Sequence, residues 1–240
     1  MKGYIITMSD NEYSSSCAHA LLENVKVFCP KLDANLFEAT QPRDIYKHIQ
    51  NVFGKQVPWT WPTRTFDDEF DFYTGLYKKT YPAVDQNRVV ACALSHFRIY
   101  KLCVEANEPV MVLEHDALFA RDFDMNIMSD TSWGAVGLND PRGNTRKGRK
   151  FHELVALCGE GIHRVPTIDE PTEPPLPMGL AGNSAYIIRP ELAKKLLKEI
   201  ERIGMWPNDA ILCRQLFPNL RVYYPYFTYV NKGKSTTTGI

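Results

Sequence analysis

Apolar positions along the chain fall into runs of two kinds, and the two kinds alternate. KGYIITM (2–8) is short, apolar and rich in β-branched residues, and SDN follows as a turn signal, so the pattern predicts a buried first strand. Residues 16–28 then place apolar side chains at helical spacing. The clearest helix is 85–106, DQNRVVACALSHFRIYKLCVEA, where Val89, Ala93, Phe97, Tyr100 and Val104 share a face and Asp85 stands as N-cap. Glu108-Pro109 ends that connection, and 110–114, VMVLE, reads as a buried strand. WGAVGLN (133–139) and SAYIIRP (184–190) read as further strands. PELAKKLLKEIERIG is a helix with Pro190 at its first position, a stripe of Leu192, Leu196, Ile200 and Ile203, and Gly204 just past its end. Strands alternating with helices predict one α/β domain over residues 1–240. Its sheet is expected to be mixed, mostly parallel and covered by helices on both faces. Sheets of that kind bind ligands at the carboxyl ends of their strands.

Three stretches break the pattern. GKQVPWTWPTRT (54–65) is too rich in Pro for regular structure, so Trp59 and Trp61 are expected in a loop, either as plugs of a satellite core or as a stacking platform for a sugar ring or base. NDPRGNTRKGRK (139–150) is expected to be a turn-rich basic loop. PTIDEPTEPPLPMG (166–179) is Pro-rich and expected to close over a site.

Composition narrows the field. The 240 residues carry 28 Lys+Arg against 28 Asp+Glu, which argues against nonspecific coating of nucleic acid or anionic membranes. A hydrophobic share of 44% is ordinary for a globular protein. No apolar run reaches the roughly 20 residues of a membrane span, and a cytoplasmic location is the expectation. The cysteines at 17, 29, 92, 103, 158 and 213 show no zinc-like spacing and are expected to be buried thiols.

The chemistry concentrates in Glu114-His115-Asp116, at the end of the most apolar strand. Ionised carboxylates there are costly unless compensated, and a divalent cation is one compensation. If the strand continues through residue 116, Glu114 and Asp116 face one pocket and His115 turns away. A pair of salt-bridged or solvent-facing carboxylates is the alternative. Phosphate-loop, dinucleotide-binding, nucleophile-elbow and HExxH motifs are all absent from the sequence.

VVACALSHFRIYKLCVEANEPVMVLEHDALF (89–119) resembles glycosyltransferase family 25, the lipooligosaccharide and collagen galactosyltransferase group. The shared features are a Cys-Ala-Leu-Ser-His helix and, after a similar gap, a strand ending in the acidic motif. KGYIITM, GNSAYIIRPELAKKLL (182–197), WPND (206–209) and Ser235 follow the family pattern in order. The resemblance implies a GT-A-like fold and inverting transfer from a nucleotide sugar, a UDP-sugar, to the hydroxyl of a glycan or other acceptor. It implies that Glu114 and Asp116 hold Mn²⁺ (or Mg²⁺) and the donor, that Ser95 and His96 line the donor pocket, and that Asp209 is the catalytic base. Asn183 and Tyr186 are expected at the substrate. The family's middle Asp is His115 here, which bears on metal dependence.

Arg142, with Arg146, Lys147, Arg149 and Lys150, forms a basic set that suits an anionic acceptor or the donor diphosphate. Together with Trp59, Trp61, Lys232 and Lys234 it also suits nucleic acid, so transfer to a hydroxymethylated DNA base is an alternative. A non-catalytic nucleotide-sugar or glycan-binding module, marked by His115, is another.

Overall fold

β1 (Lys2–Thr7) and α1 (Glu12–Phe28) open the fold, with Asn11 Oδ1 accepting the Ser14 backbone N–H as the helix cap. A computed structural model describes residues 1–63, 68–80, 83, 85–143, 147–168 and 175–231. The chain continues through β2 (Asp33–Glu38), α2 (Ile45–Phe53), the short hairpin β3 (Glu69–Asp71) and β4 (Leu76–Lys78), and α3 (Gln86–Ala106). Asp85 caps α3 by accepting the Asn87 N–H at 2.9 Å, as expected from its position. β5 (Val110–Glu114), β6 (Ala117–Phe119), β7 (Ala135–Gly137), α4 (Gly148–Ala156) and β8 (Gly161–Arg164) come next. β9 (Ala185–Ile188), α5 (Pro190–Ile203), α6 (Asn208–Ile211), β10 (Leu220–Tyr224) and β11 (Thr228–Val230) complete the chain.

The central sheet has seven strands in the order β2-β1-β5-β9-β7-β10-β8. Its pairings are parallel for β1 with β2, β1 with β5 and β7 with β10, and antiparallel for the other three. Five of the seven strands, β2, β1, β5, β7 and β10, run in one direction and β9 and β8 run against them, so the sheet is mixed and mostly parallel, as expected. The antiparallel strand β9 sits at its centre.

Both faces of the sheet are covered, which is why β5 reads as an unbroken apolar run. Val110, Val112, Tyr186 and Ile188 join α2, α3, α5 and α6 in one core. Ile5, Met111, Leu113, Val136 and Ile187 join α1 in the other, with Trp133 and Phe227. Leu196 and Ile200 of α5 and Phe97 of α3 are fully buried in the first core. Glu114 continues the parity of Val110 and Val112, so it points to the α3 side.

Candidate functional site

Register sets the position of the site. Ile6 pairs with Glu114 and Thr7 with Glu38, so β1, β2 and β5 end together at one edge of the sheet. Beyond them opens a cleft of about 470 Å³, within the usual range for small-molecule sites. Its walls come from those strand ends, the start of α1 and one face of α3, and include Asn11, Arg88, Cys92, Ser95, His96 and Glu114. Arg88, Cys92 and Ser95-His96 recur at the helical period, so one face of α3 lines the cleft. Arg88 and Cys92 are wall residues that sequence reasoning missed, and this spacing was the available signal.

Ser95 is buried and works structurally. Its hydroxyl donates to the Ala91 carbonyl and accepts the Thr40 N–H, both at 2.9 Å. Arg98 donates to the Glu38 carbonyl at 2.9 Å. These bonds tie the segment after β2 to α3 and hold the cleft wall.

His96 is buried between two partners. Its Nε2 lies 3.5 Å from Glu114 Oε1, and its Nδ1 lies 2.8 Å from the Tyr186 hydroxyl. Tyr186 is 2.6 Å from the Tyr100 hydroxyl, which donates to Asn208 Oδ1 at 2.6 Å. A buried polar chain thus runs from Glu114 to α6.

The acidic triplet is not a continuous strand. β5 ends at Glu114, and His115-Asp116 forms a turn. The alternation expected through residue 116 is corrected on this point: His115 lines the cleft beside Glu114 instead of turning away, and Asp116 is not among the cleft's lining residues. Its imidazole packs edge-on against Tyr13, and burial holds its pKa below the ordinary value, partly offset by the Glu114 charge. Burial, then the charge of Glu114, pushes the Asp116 carboxyl up to about 7. Its Oδ1 is buried with no hydrogen-bond partner. A cation beside Glu114 and Asp116 relieves both deficits, so these residues fit a divalent metal.

Asp209, in the first turn of α6, lines a second cleft of about 250 Å³ with Lys147, Thr167, Met178 and Gln215. Residues 166–168 and 175–179 of the Pro-rich segment line it, whereas 169–174 lie outside the described residues. Asp209 is exposed at this cleft, and desolvation by the protein packed around its carboxyl raises its pKa; the Glu114 charge raises it further and His96 opposes. The charges of Glu114 and His96, from two other elements, therefore reach Asp209.

Residues 31–133 match the family model described as Glycosyltransferase family 25 (LPS biosynthesis protein). That segment is similar to the family, and the remainder of the chain is outside the match. The match covers somewhat under half of the chain. No curated protein matches the sequence. Among solved structures, the galactosyltransferase LgtC with donor and acceptor sugar analogs is 10% identical at a TM-score of 0.41, over 92% of this chain and 73% of that one. A glycosyltransferase involved in the glycosylation of the major capsid of PBCV-1 is 9% identical at 0.42, over 98% and 94%. Mouse xyloside xylosyltransferase 1, apo form, is 11% identical at 0.37, over 92% and 70%. At such distances these likenesses say nothing about this chain's substrates.

The matched segment takes in α3 and β5, hence Ser95, His96, Glu114 and Asp116, while Asn183, Tyr186 and Asp209 lie beyond it. Antiparallel β9 nonetheless brings Asn183 to the same edge, because the Glu114 N–H donates to the Ser184 carbonyl at 2.7 Å. Both amide atoms of Asn183 are buried without partners, so its donor and acceptor capacity is unspent. Tyr186, expected at the substrate, is set behind the cleft wall instead. It is fully buried and reaches the cleft only through His96.

The stacking platform is also corrected. Trp61 is buried against Trp206, with ring centroids 5.2 Å apart, and donates to the Lys79 carbonyl, so it plugs the core. Trp59 is half-buried and packs on the same core beside Met205. With that platform gone, the DNA-base reading loses its stacking argument. Arg142 is exposed and tied to Asp140 at 2.6 Å. Lys147, Arg149 and Lys150 lie at the start of α4 rather than in a loop, whereas Arg146, Lys232, Lys234 and Ser235 lie outside the described residues.

Proposed function

We propose that the chain moves a sugar from a nucleotide-sugar donor, a UDP-sugar, to an acceptor hydroxyl, with inversion and metal assistance, in one GT-A-like domain spanning residues 1–240. The observation that carries this reading is a pair of clefts, the first lined by Glu114 at the ends of β1, β2 and β5 and the second lined by Asp209, with the Glu114 charge felt at Asp209. Donor and acceptor would occupy the two clefts, with the transferred sugar between them. Strands drawn from residue 2 to residue 224 into one sheet support the single-domain extent.

In this reading the nucleotide lies at the ends of β1, β2 and β5, walled by α3. Glu114 and Asp116 would hold Mn²⁺ (or Mg²⁺), whose chemistry is to neutralise charge on the departing diphosphate. Asp209 accepts the proton of the acceptor hydroxyl, and its raised pKa suits a base working near neutral pH. Asn183 offers hydrogen bonds to the sugar at the same edge. His96, held by Tyr186, orients Glu114.

The test is sugar transfer to a panel of hydroxyl acceptors with each nucleotide sugar, reading the anomeric configuration of the product by NMR. A product of opposite configuration to the donor is expected. Retention overturns the inverting assignment, and turnover unaffected by metal removal overturns the metal assignment.

A further inference from the structure

The hydrogen bonds behind His96 fix its tautomer. Tyr100 gives its hydroxyl proton to Asn208 Oδ1, so in the contact between the two tyrosines Tyr186 must be the donor to Tyr100. The Tyr186 proton is then spent, and Nδ1 of His96 must donate to Tyr186. In the neutral ring, Nε2 is left with a lone pair. That lone pair faces Glu114 Oε1 at 3.5 Å. Cys92, four residues before His96 on the same helix, adds its Sγ from the same side. The ligand atoms of Cys92, His96 and Glu114 all lie within 4.8 Å of one another. An acceptor nitrogen, a carboxylate oxygen and a thiol converging on one point make a donor set that a cation between them would satisfy.

We propose that Cys92, His96 and Glu114 form a binding site for a thiophilic divalent cation of the Zn²⁺ class, with a fourth position open to the cleft. Ligands at zinc bond lengths around a tetrahedral centre stand roughly 3.4–3.6 Å apart. The His96–Glu114 separation of 3.5 Å already meets that, and the Cys92 Sγ lies within 4.8 Å of both. Thiolate with imidazole selects zinc over the oxygen-seeking Mg²⁺ and Mn²⁺. The Nδ1–H bond to Tyr186 is the kind of outer partner that fixes a metal-bound imidazole in place. Binding releases the Cys92 thiol proton to solvent as the thiolate joins the metal. Glu114 is shared with the proposed donor-metal site, so occupancy by zinc excludes Mn²⁺ there and obstructs the cleft.

The inference stands apart from the transfer reading, because metal binding alone tests it. Co²⁺ titrated into the full chain serves as the optical reporter for zinc. A single tetrahedral site with a sulfur-to-cobalt charge-transfer band is expected, displaced by Zn²⁺. Cys92→Ser removes that band and weakens Zn²⁺ at least about 10–100-fold. Cys158→Ser, at an exposed thiol, leaves both unchanged. A wild-type chain without the band, or a Cys92→Ser chain that keeps it in full, overturns the proposal. Should Cys92→Ser fail to fold, alkylation of Cys92 in the wild-type chain reads the same ligation. Zn²⁺ is expected to protect it, and equal rates with and without Zn²⁺ overturn the site.

Discussion

Asp209 and Asp116 carry opposite burdens at the scale of single residues. Asp209 must lose a proton to act as a base, yet desolvation by the surrounding protein, reinforced by the Glu114 charge, raises its pKa. A base is active only when deprotonated, so activity falls on acidification, and a raised pKa moves that fall above the ordinary carboxylate range. The acid limb of kcat against pH is therefore expected higher than a free Asp titrates. Asp209→Asn is expected to lower kcat by about 10²–10⁴-fold with donor affinity unchanged. Measured kcat near wild type in that variant moves the base elsewhere. Asp116 is burdened by its own charge, with Oδ1 buried and unpaired. Asp116→Ala is expected to abolish the Mn²⁺-dependent part of donor binding, read by calorimetry with and without Mn²⁺. Donor affinity that still responds to Mn²⁺ in the variant rules out Asp116 as a ligand.

At the scale of elements, legibility followed burial and capping. α3, β5 and α5 were readable because each has strong periodicity or a continuous apolar run, together with Asp85, Pro190 or Gly204 at an end. β2 and β8 are the edge strands of the sheet, half exposed, and DANLFE and GIHR show no alternation to read. α4 hid inside what composition marked as a basic loop. In the site, Ser95, His96 and Glu114 were legible from the family-like motif. The turn at His115-Asp116 was not, because nothing local in the sequence marks where β5 stops. Cys92 looked like any buried thiol until α3 placed it one turn from His96. The segment after the Pro-rich stretch shows how one element positions another. Gly179 bridges to Cys213, and a Cβ at Gly179 would overlap the backbone carbonyl of Asp209. Gly179→Ala is expected to displace Asp209 and lower kcat at least about tenfold while sparing donor affinity, which steady-state kinetics with separate donor binding resolves. Leu196→Ala, in the core beneath α5, is expected to cost about 2–5 kcal/mol in urea unfolding and to leave donor affinity of the folded chain intact.

For the whole molecule, the site is a property of one sheet edge. β1, β2, β5 and β7 deliver their carboxyl ends there, and antiparallel β9 delivers its amino end, so residues from Thr7 to Asn183 meet without a second domain. A ligand in that cleft braces β1, α1, α3 and β5 together, and its binding energy is drawn on by the unfolding of the entire sheet. At a concentration about 100 times its dissociation constant, a ligand specific for the folded state stabilises by roughly 2.7 kcal/mol. For a chain of this size each kcal/mol moves the midpoint by about 2–4 °C. UDP-, GDP-, CMP- and dTDP-sugars, each tested with and without Mn²⁺, should therefore separate cleanly in thermal melts. The UDP-sugar with Mn²⁺ is expected to raise the midpoint by about 5–10 °C in a single transition. A shift with nucleotide alone assigns a metal-independent donor site and places the weight on His115, the neutral imidazole where the family pattern has a carboxylate. Absence of any shift rejects the cleft as a nucleotide-sugar site, because a ligand that braces this edge cannot leave the midpoint unmoved.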